Sequence, residues 1–393
     1  APNFGNTGGR VLMNQKFKLP LAIAIASAVL VGCSSNKVKE AKPNPLPKLT
    51  ESNKSLVPVF SRSVSSTNKA DPLRLQLDAS EGVVFTLDPK GEVAAYRGKQ
   101  RLWEKKVSKL GLSSGVEAAE GIVVVGNSKG QLFALDQATG EQKWTAQLSG
   151  ALLSPSLVQS GRVITIANDG TVFAHDVSSG QQVWAYKLPN VQFSLRGQPS
   201  PVSLDPRTVL IASANAYVYA IDTISGIPRF QRRVAVSEGR SDIQRLIDID
   251  GDPVVAGQLM VTTSFQGQVT VTDLASQRVV WSEDSSSTKR PEVYDNKVFV
   301  SSTDGKLTAY DLTTGEQLWQ NDSLLNRHLS NPVVLGSDLI VGDLDGVLHL
   351  IDPTTGKLIG RSKTSGEVNT LRVIENQLYV STRKGDLSIW QNR

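Results

Sequence analysis

The sequence predicts an all-β chain folded as an eight-bladed β-propeller of four-stranded antiparallel blades. Three observations carry that prediction. A Gly recurs with an Asp six residues later and an aromatic fourteen residues later: Gly130, Asp136, Trp144; Gly170, Asp176, Trp184; Gly267, Asp273, Trp281; Gly305, Asp311, Trp319. An apolar run precedes the anchors, as at residues 122–125, and a further strand-like run precedes several of these, as at residues 155–158 and 332–335. The anchors at positions 91, 130, 170, 216, 267, 305, 346 and 385 are 38 to 51 residues apart. A period of about 40 residues with room for four short strands is the signature of a propeller blade.

Each conserved chemistry within the repeat has a place in a blade. The Gly belongs in the tight turn between second and third strands, where positive φ is needed. The Asp and the following Thr/Ser-Gly make the next turn, because Asp bonds its own downstream backbone. The Trp of the fourth strand is expected between adjacent blades, where a large aromatic buries most area. Four copies depart from the pattern. Ala216, Asp222 and Phe230 are a softened copy; Gly346 and Asp352 are followed by Gly360 at the aromatic position. Gly91 is followed by Arg97 and by a Trp103 two residues early, which shortens that turn. Gly385 opens the last copy, with Gln391 at the Asp position, and a fourth strand is missing. Val57-Pro-Val-Phe60 matches the fourth-strand segment Ile227-Pro-Arg-Phe230. Residues 56–64 are therefore expected to complete the eighth blade beside residues 387–390, removing an aggregation-prone edge.

The segments ahead of the repeats have another character. Residues 1–12 read as an upstream extension, not native mature protein. Residues 13–32 read as a lipoprotein signal peptide: Met13, basic Lys16 and Lys18, then a 13-residue apolar run at 19–31. That run is short for a transmembrane helix and suits a signal sequence. It ends in Leu30-Val31-Gly32-Cys33, a lipobox-like sequence that makes Cys33 the lipidation site. Cys33 is the only cysteine, so no intrachain disulfide is possible. Residues 33–55, with five Lys and several Pro, read as the lipidated Cys and a flexible tether. The propeller then occupies residues 56–393. The formal charge of +5 falls to +2 without Arg10, Lys16 and Lys18. A balance so small gives no ground for a nucleic-acid partner. Charged residues at 20% favour neither disorder nor a membrane barrel.

Function is expected where the repeats depart from their pattern, in loops. Two anchor spacings are long, 46 residues from Gly170 to Ala216 and 51 from Ala216 to Gly267. The additions fall at residues 188–200 and 236–252 and flank one blade. The first carries Phe193, Leu195 and Arg196, an apolar pair beside an Arg, which suits a protein contact. The second carries Asp248 and Asp250 within Ile247-Asp-Ile-Asp-Gly-Asp252. Packing of both insertions on the propeller, with Arg196 paired internally, is the competing reading. An EF-hand count from Asp248 puts Pro253 and Leu259 where Gly and Glu are required, so calcium is not expected. His175, His328 and His349 lie in different repeats without metal-ligand spacing. No catalytic triad, phosphate-cradling loop or zinc-protease helix is present in the sequence. Neither a catalytic residue, a metal nor a cofactor is therefore expected.

The repeat Ala134-Leu-Asp-Gln-Ala-Thr-Gly140-Glu-Gln-Lys-Trp144 resembles that of the quinoprotein propellers, which include PQQ-dependent dehydrogenases. Lipobox, Pro-rich segment, eight units and the two insertions together resemble the BamB family, non-enzymatic propeller lipoproteins of the outer-membrane β-barrel assembly (BAM) machinery. The resemblance spans residues 13–393. It implies a scaffold at the periplasmic face of the outer membrane, docked on the POTRA domains of BamA and in reach of unfolded outer-membrane proteins. It assigns the contact to Phe193, Leu195 and Arg196, with Asp248 and Asp250; Phe193 stands where the family is expected to have an aliphatic residue. The alternatives are a PQQ-dependent dehydrogenase-like protein and a generic envelope lipoprotein with another partner.

Overall fold

The sequence Asp136-Gln-Ala-Thr-Gly140 turns the second blade by bonding to itself. Asp136 Oδ1 accepts the Ala138 and Thr139 N–H groups at 2.9 and 3.0 Å. The Gly140 N–H donates to the Asp136 carbonyl at 2.9 Å. Asp176, Asp222, Asp311 and Asp352 repeat this side-chain bonding in their own blades. Hydrogen bonds from the Ser179 N–H and hydroxyl hold the Asp176 carboxyl below its ordinary range. Gly130, in the preceding turn, has φ 78°, and a Cβ there would lie 2.6 Å from the Leu148 carbonyl oxygen. The shortened turn signalled by Trp103 joins strands Glu92–Arg97 and Gln100–Lys106.

The computed structural model describes residues 41–50, 53–63, 77–189, 200–213, 217–233, 252–263, 267–285, 287 and 289–393. Their strands form eight four-stranded antiparallel sheets, the eight-bladed propeller that the repeats predict. Blade 1 runs Asp78–Ser80, Val83–Asp88, Glu92–Arg97, Gln100–Lys106 from inner to outer strand. Blades 2 to 7 follow the same order. Blade 8 takes three strands from the C-terminus, Val368–Ile374, Gln377–Thr382 and Asp386–Gln391. Its outer strand is Val57–Ser63, paired from Val57↔Gln391 to Ser63↔Asp386. The expected closure by the N-terminal strand is thus present.

Among the described residues the core consists of eight clusters, each shared by two consecutive blades. Its recurring device is a Trp laid under the next blade's turn. Trp103, Trp144, Trp184, Trp281 and Trp319 each donate Nε1–H to a carbonyl of the following blade, at 2.7–3.0 Å. The turn glycine must lack a side chain for this approach: a Cβ on Gly140 would lie 2.5 Å from Trp103 Cε3. Phe60 performs the closing role between blades 8 and 1, against Val84 and Tyr96.

A second series of bonds joins the inner strands. Asp78 Oδ2 accepts the Ala118 N–H at 2.7 Å, Glu117 Oε1 accepts the Val158 N–H at 2.9 Å, and Glu292 Oε2 accepts the Val334 N–H at 3.2 Å. Asn331 bonds both the N–H and the carbonyl of Leu371. Each of these contacts reaches from one blade to the next.

Seam 7–8 is built differently. Residues 33–55 are expected to be a flexible tether; within that span, Lys42, Asn44, Pro47 and Lys54 make bonds to blades 6 and 7 or to the connection between them. The Asn44 N–H donates to the Leu325 carbonyl at 3.0 Å, and Arg361 bonds the Pro47 carbonyl. Lys54 bridges the outer strand Leu358–Lys363: its N–H donates to the Ile359 carbonyl at 2.9 Å and its carbonyl accepts the Arg361 N–H at 3.0 Å. Gly360, which lacks the repeat's aromatic, lies beneath it; a Cβ there would collide with the Lys54 carbonyl. Lys54 Nζ also pairs with Asp338 at 2.9 Å, and Leu56 enters the core between blades 7 and 8. The strap replaces the missing Trp.

Because strands alternate in direction, each blade's second-to-third turn lies on the same face as the blade-to-blade connections. The Asp turns lie on the opposite face. The first is called the connection face below.

Candidate partner-binding face

Both long insertions are blade-to-blade connections, so both are rooted on the connection face, on either side of blade 4. The first leaves the outer strand of blade 3, Gln182–Lys187. Buried Leu188 fixes its root: the Leu188 N–H donates to the Gly170 carbonyl at 2.9 Å, and the Tyr219 hydroxyl to the Pro189 carbonyl at 3.2 Å. It returns at Ser200. The second leaves the outer strand of blade 4, Pro228–Arg233, and returns at Asp252.

The two return points are tied together. The Ser200 N–H donates to Asp252 Oδ1 at 2.7 Å. Burial pushes the Asp252 carboxyl above its ordinary range, opposed by that hydrogen bond and by the charges of Arg290 and Arg372. An acid held in this way fixes the landing of both connections relative to each other. The blade between them has a basic outer strand, with Arg229, Arg232 and Arg233 in six residues. Arg229 Nη2 pairs with Asp222 Oδ2 at 2.6 Å and holds that carboxyl far below the ordinary range.

Phe193, Leu195, Arg196, Asp248 and Asp250 lie outside the described residues, as does Cys33. The structure therefore describes the supports of the expected contact and not its tip. Sequence reasoning missed the Ser200–Asp252 tie. The pre-proline positions of the inner strands hold Ser154, Ser200, Asp252, Arg290 and Asn331, and polarity at that repeated position was the available signal. His175 and His349 lie in third strands and are buried, in structural positions. Among the described residues, no group of three or more His, Cys, Asp or Glu is placed to hold a metal ion. No helix among them is long and apolar enough to cross a membrane.

Comparison with known proteins agrees with this architecture. The profile of the family described as "Outer membrane protein assembly factor BamB" matches residues 89–321 and 303–391. The protein of that description from Pseudomonas aeruginosa is 32% identical over 377 residues, covering 95% of this chain and 98% of the relative. The crystal structure of BamB from Moraxella catarrhalis superposes with a TM-score of 0.79 at 35% identity, over 86% of this chain and all of that one. A quinohemoprotein alcohol dehydrogenase from Comamonas testosteroni reaches a TM-score of 0.66 at 13% identity, over 86% of this chain and 76% of its own, which shows a shared fold only. Eight blades closed by the N-terminal strand, matched at this identity along nearly the whole chain, place it in the BamB family of outer membrane protein assembly factors.

Proposed function

We propose that this protein is a non-enzymatic, lipid-anchored scaffold of the BAM machinery, held at the periplasmic face of the outer membrane. It binds the POTRA domains of BamA and assists insertion of β-barrel proteins. The observation that carries this reading is the pairing of two long connections on one face, tied at Ser200–Asp252, within a chain of the BamB family. Leu195 and Phe193 supply the apolar contact, and Arg196 a charge-assisted hydrogen bond. Asp248 and Asp250 pair with basic groups of the partner or hold Arg196 in place. A rigid ring suits this work, because a contact on fixed supports loses less freedom on binding.

The test is titration of the propeller with soluble POTRA domains, beside Arg196→Ala and Leu195→Ala. Micromolar or tighter binding that weakens in folded variants supports the reading. Absence of binding by the folded wild-type protein overturns the POTRA assignment. Dehydrogenase turnover on adding PQQ and calcium would overturn the non-enzymatic assignment.

A further inference from the structure

We propose that the connection face, where it spans blades 6 and 7, is the part of the propeller turned toward a lipid surface. The inference rests on the reading that Cys33 carries the anchor.

The chain enters the propeller at one fixed place. Asn44 Nδ2 donates to the Asp322 and Ser323 carbonyls at 3.3 and 3.4 Å, and Asn326 Nδ2 to the Lys42 carbonyl at 3.3 Å. Residues 322–326 lie in the connection between blades 6 and 7, so Lys42 and Asn44 lie on the connection face. From there the strap crosses the rim along blade 7 to Lys54, beside the opposite face.

The entry point is built around a buried cation. Arg327 donates Nη1–H to the Asn44 carbonyl at 2.7 Å, Nε–H to Asp343 Oδ2 at 2.7 Å and Nη2–H to Asp345 Oδ2 at 2.6 Å. Its side chain is only 4% exposed. His349 Nε2 lies 2.8 Å from the same Asp343 oxygen. Burial pushes the Asp343 carboxyl up, but the hydrogen bonds from His349 and Arg327 outweigh it and hold the group below its ordinary range. A buried guanidinium needs its donors satisfied, and the strap's own carbonyl is one of its acceptors. The strap is therefore part of the network that satisfies the Arg327 guanidinium.

A short leash then limits the distance to the anchor. Nine residue steps separate Cys33 from Lys42, and a fully extended chain spans at most about 3.3–3.6 Å per residue, so the reach is about 30 Å. That is comparable with the size of a small domain, so blades 6 and 7 cannot stand far from the bilayer while the strap is seated. Lys42, Leu46 and Lys48 are exposed on the strap, a pattern of cations and one apolar side chain that suits an anionic headgroup layer. The two long connections share this face but lie two to three blades away, about 90–135° around an eight-bladed ring. The strap's entry point and the roots of the two long connections therefore share one face without competing for the same surface.

The test uses the full lipidated protein in vesicles of phosphatidylethanolamine and phosphatidylglycerol. With the Cys33 thiol consumed as a thioether, a single introduced cysteine carries a fluorophore. Lys306→Cys places it on the connection face of blade 6, and Thr354→Cys on the opposite face of blade 7. Spin-labelled headgroups are expected to quench the Lys306→Cys probe several-fold more than the Thr354→Cys probe. A flexible insertion between Ala41 and Lys42 should abolish that difference without affecting vesicle flotation. Equal quenching of both probes, or stronger quenching at Thr354→Cys, overturns the orientation. A difference that survives the insertion overturns the leash as its cause. Failure of the protein to float with vesicles overturns the anchoring itself, and POTRA titration in detergent reads the partner assignment separately.

Discussion

Arg372 Nη1 lies 3.0 Å from Asp78 Oδ1, joining the inner strand of the last blade to that of the first. The same nitrogen donates to the Leu77 carbonyl at 2.8 Å. The ring is thus closed twice, by the strand Val57–Ser63 at the rim and by this pair at the centre. Asp78 is buried whereas the Arg372 side chain is 41% exposed. Arg372→Met is expected to cost about 1–2 kcal/mol, mostly by removing the charged partner of a buried Asp78 that keeps only the Ala79 and Ala118 N–H groups, with long-range Coulomb attraction secondary at that exposure. Urea denaturation reads it; an unchanged midpoint would show that the central closure is dispensable.

Glu117 links that closure to pH. Burial and the nearby Asp78 raise its carboxyl from 4.5 to about 7, against the Val158 N–H and Arg372. The folded state therefore holds a proton that the unfolded chain releases above about 4.5. The contribution to stability is fully present below the unfolded value and is lost as pH rises through about 7. A rise from 4.5 to about 7 corresponds to roughly 3 kcal/mol. Glu117→Gln keeps an oxygen acceptor for Val158 and removes the titration. The variant should gain stability relative to wild type at pH 8 and lose that advantage at pH 4; denaturation curves parallel at every pH would refute this.

The Trp latches should be separable into bulk and hydrogen bond. Trp144 is 8% exposed and donates to the Val177 carbonyl at 3.0 Å. Trp144→Phe is expected to cost about 1 kcal/mol for the lost bond, plus a smaller packing term. Trp144→Ala should cost about 3–5 kcal/mol. Similar losses in both variants would mean that the indole N–H, rather than the burial, holds the seam.

Gly360 gives a counterintuitive test. Gly360→Trp restores the aromatic of the repeat, yet it should weaken the protein, because the Lys54 backbone occupies that space. The strap should be displaced and trypsin should cut after Lys48 and Lys54 faster than in wild type. Unchanged cleavage would show that the strap is not seated on Gly360.

Arg196→Ala is expected to weaken POTRA binding by about tenfold, the order of a desolvated Arg at an interface. Calorimetry on a variant with an unchanged melting curve is the measurement. Equal affinity would move the contact elsewhere on the connection face.

Much of this architecture was legible because it is local. Gly130 and Asp136 act within their own blade and Trp144 on the blade that follows, so their chemistry recurs along the sequence at the blade period. The strap was not legible. A polar, Pro-rich stretch has no period, and its partners Asn326, Arg361 and Asp338 lie more than 280 residues away. Gly360 signalled that something replaces a Trp, but not what. Arg327 sits in a plain connection and acquires its meaning only from Asp343 and His349 of the next blade. The inner-strand ties of Glu117 and Asn331 were hidden because each accepts from a backbone, which leaves no complementary residue to find. The expected contact was read from spacing and resemblance, and only its supports at Ser200 and Asp252 are described.

The pairing of Val57 with Gln391 also sets an order of events. The outer strand of blade 8 is made first, and its partner strand is among the last segments of the chain to become available. Blades 1 to 7 can each form from contiguous sequence, whereas this closure spans nearly the whole polypeptide and bears the largest loop entropy. Ring closure should therefore be the slow final step of folding. Until it occurs, the third strand of blade 8 has a bare edge, the stage at which a nascent chain most needs protection from pairing with a neighbour.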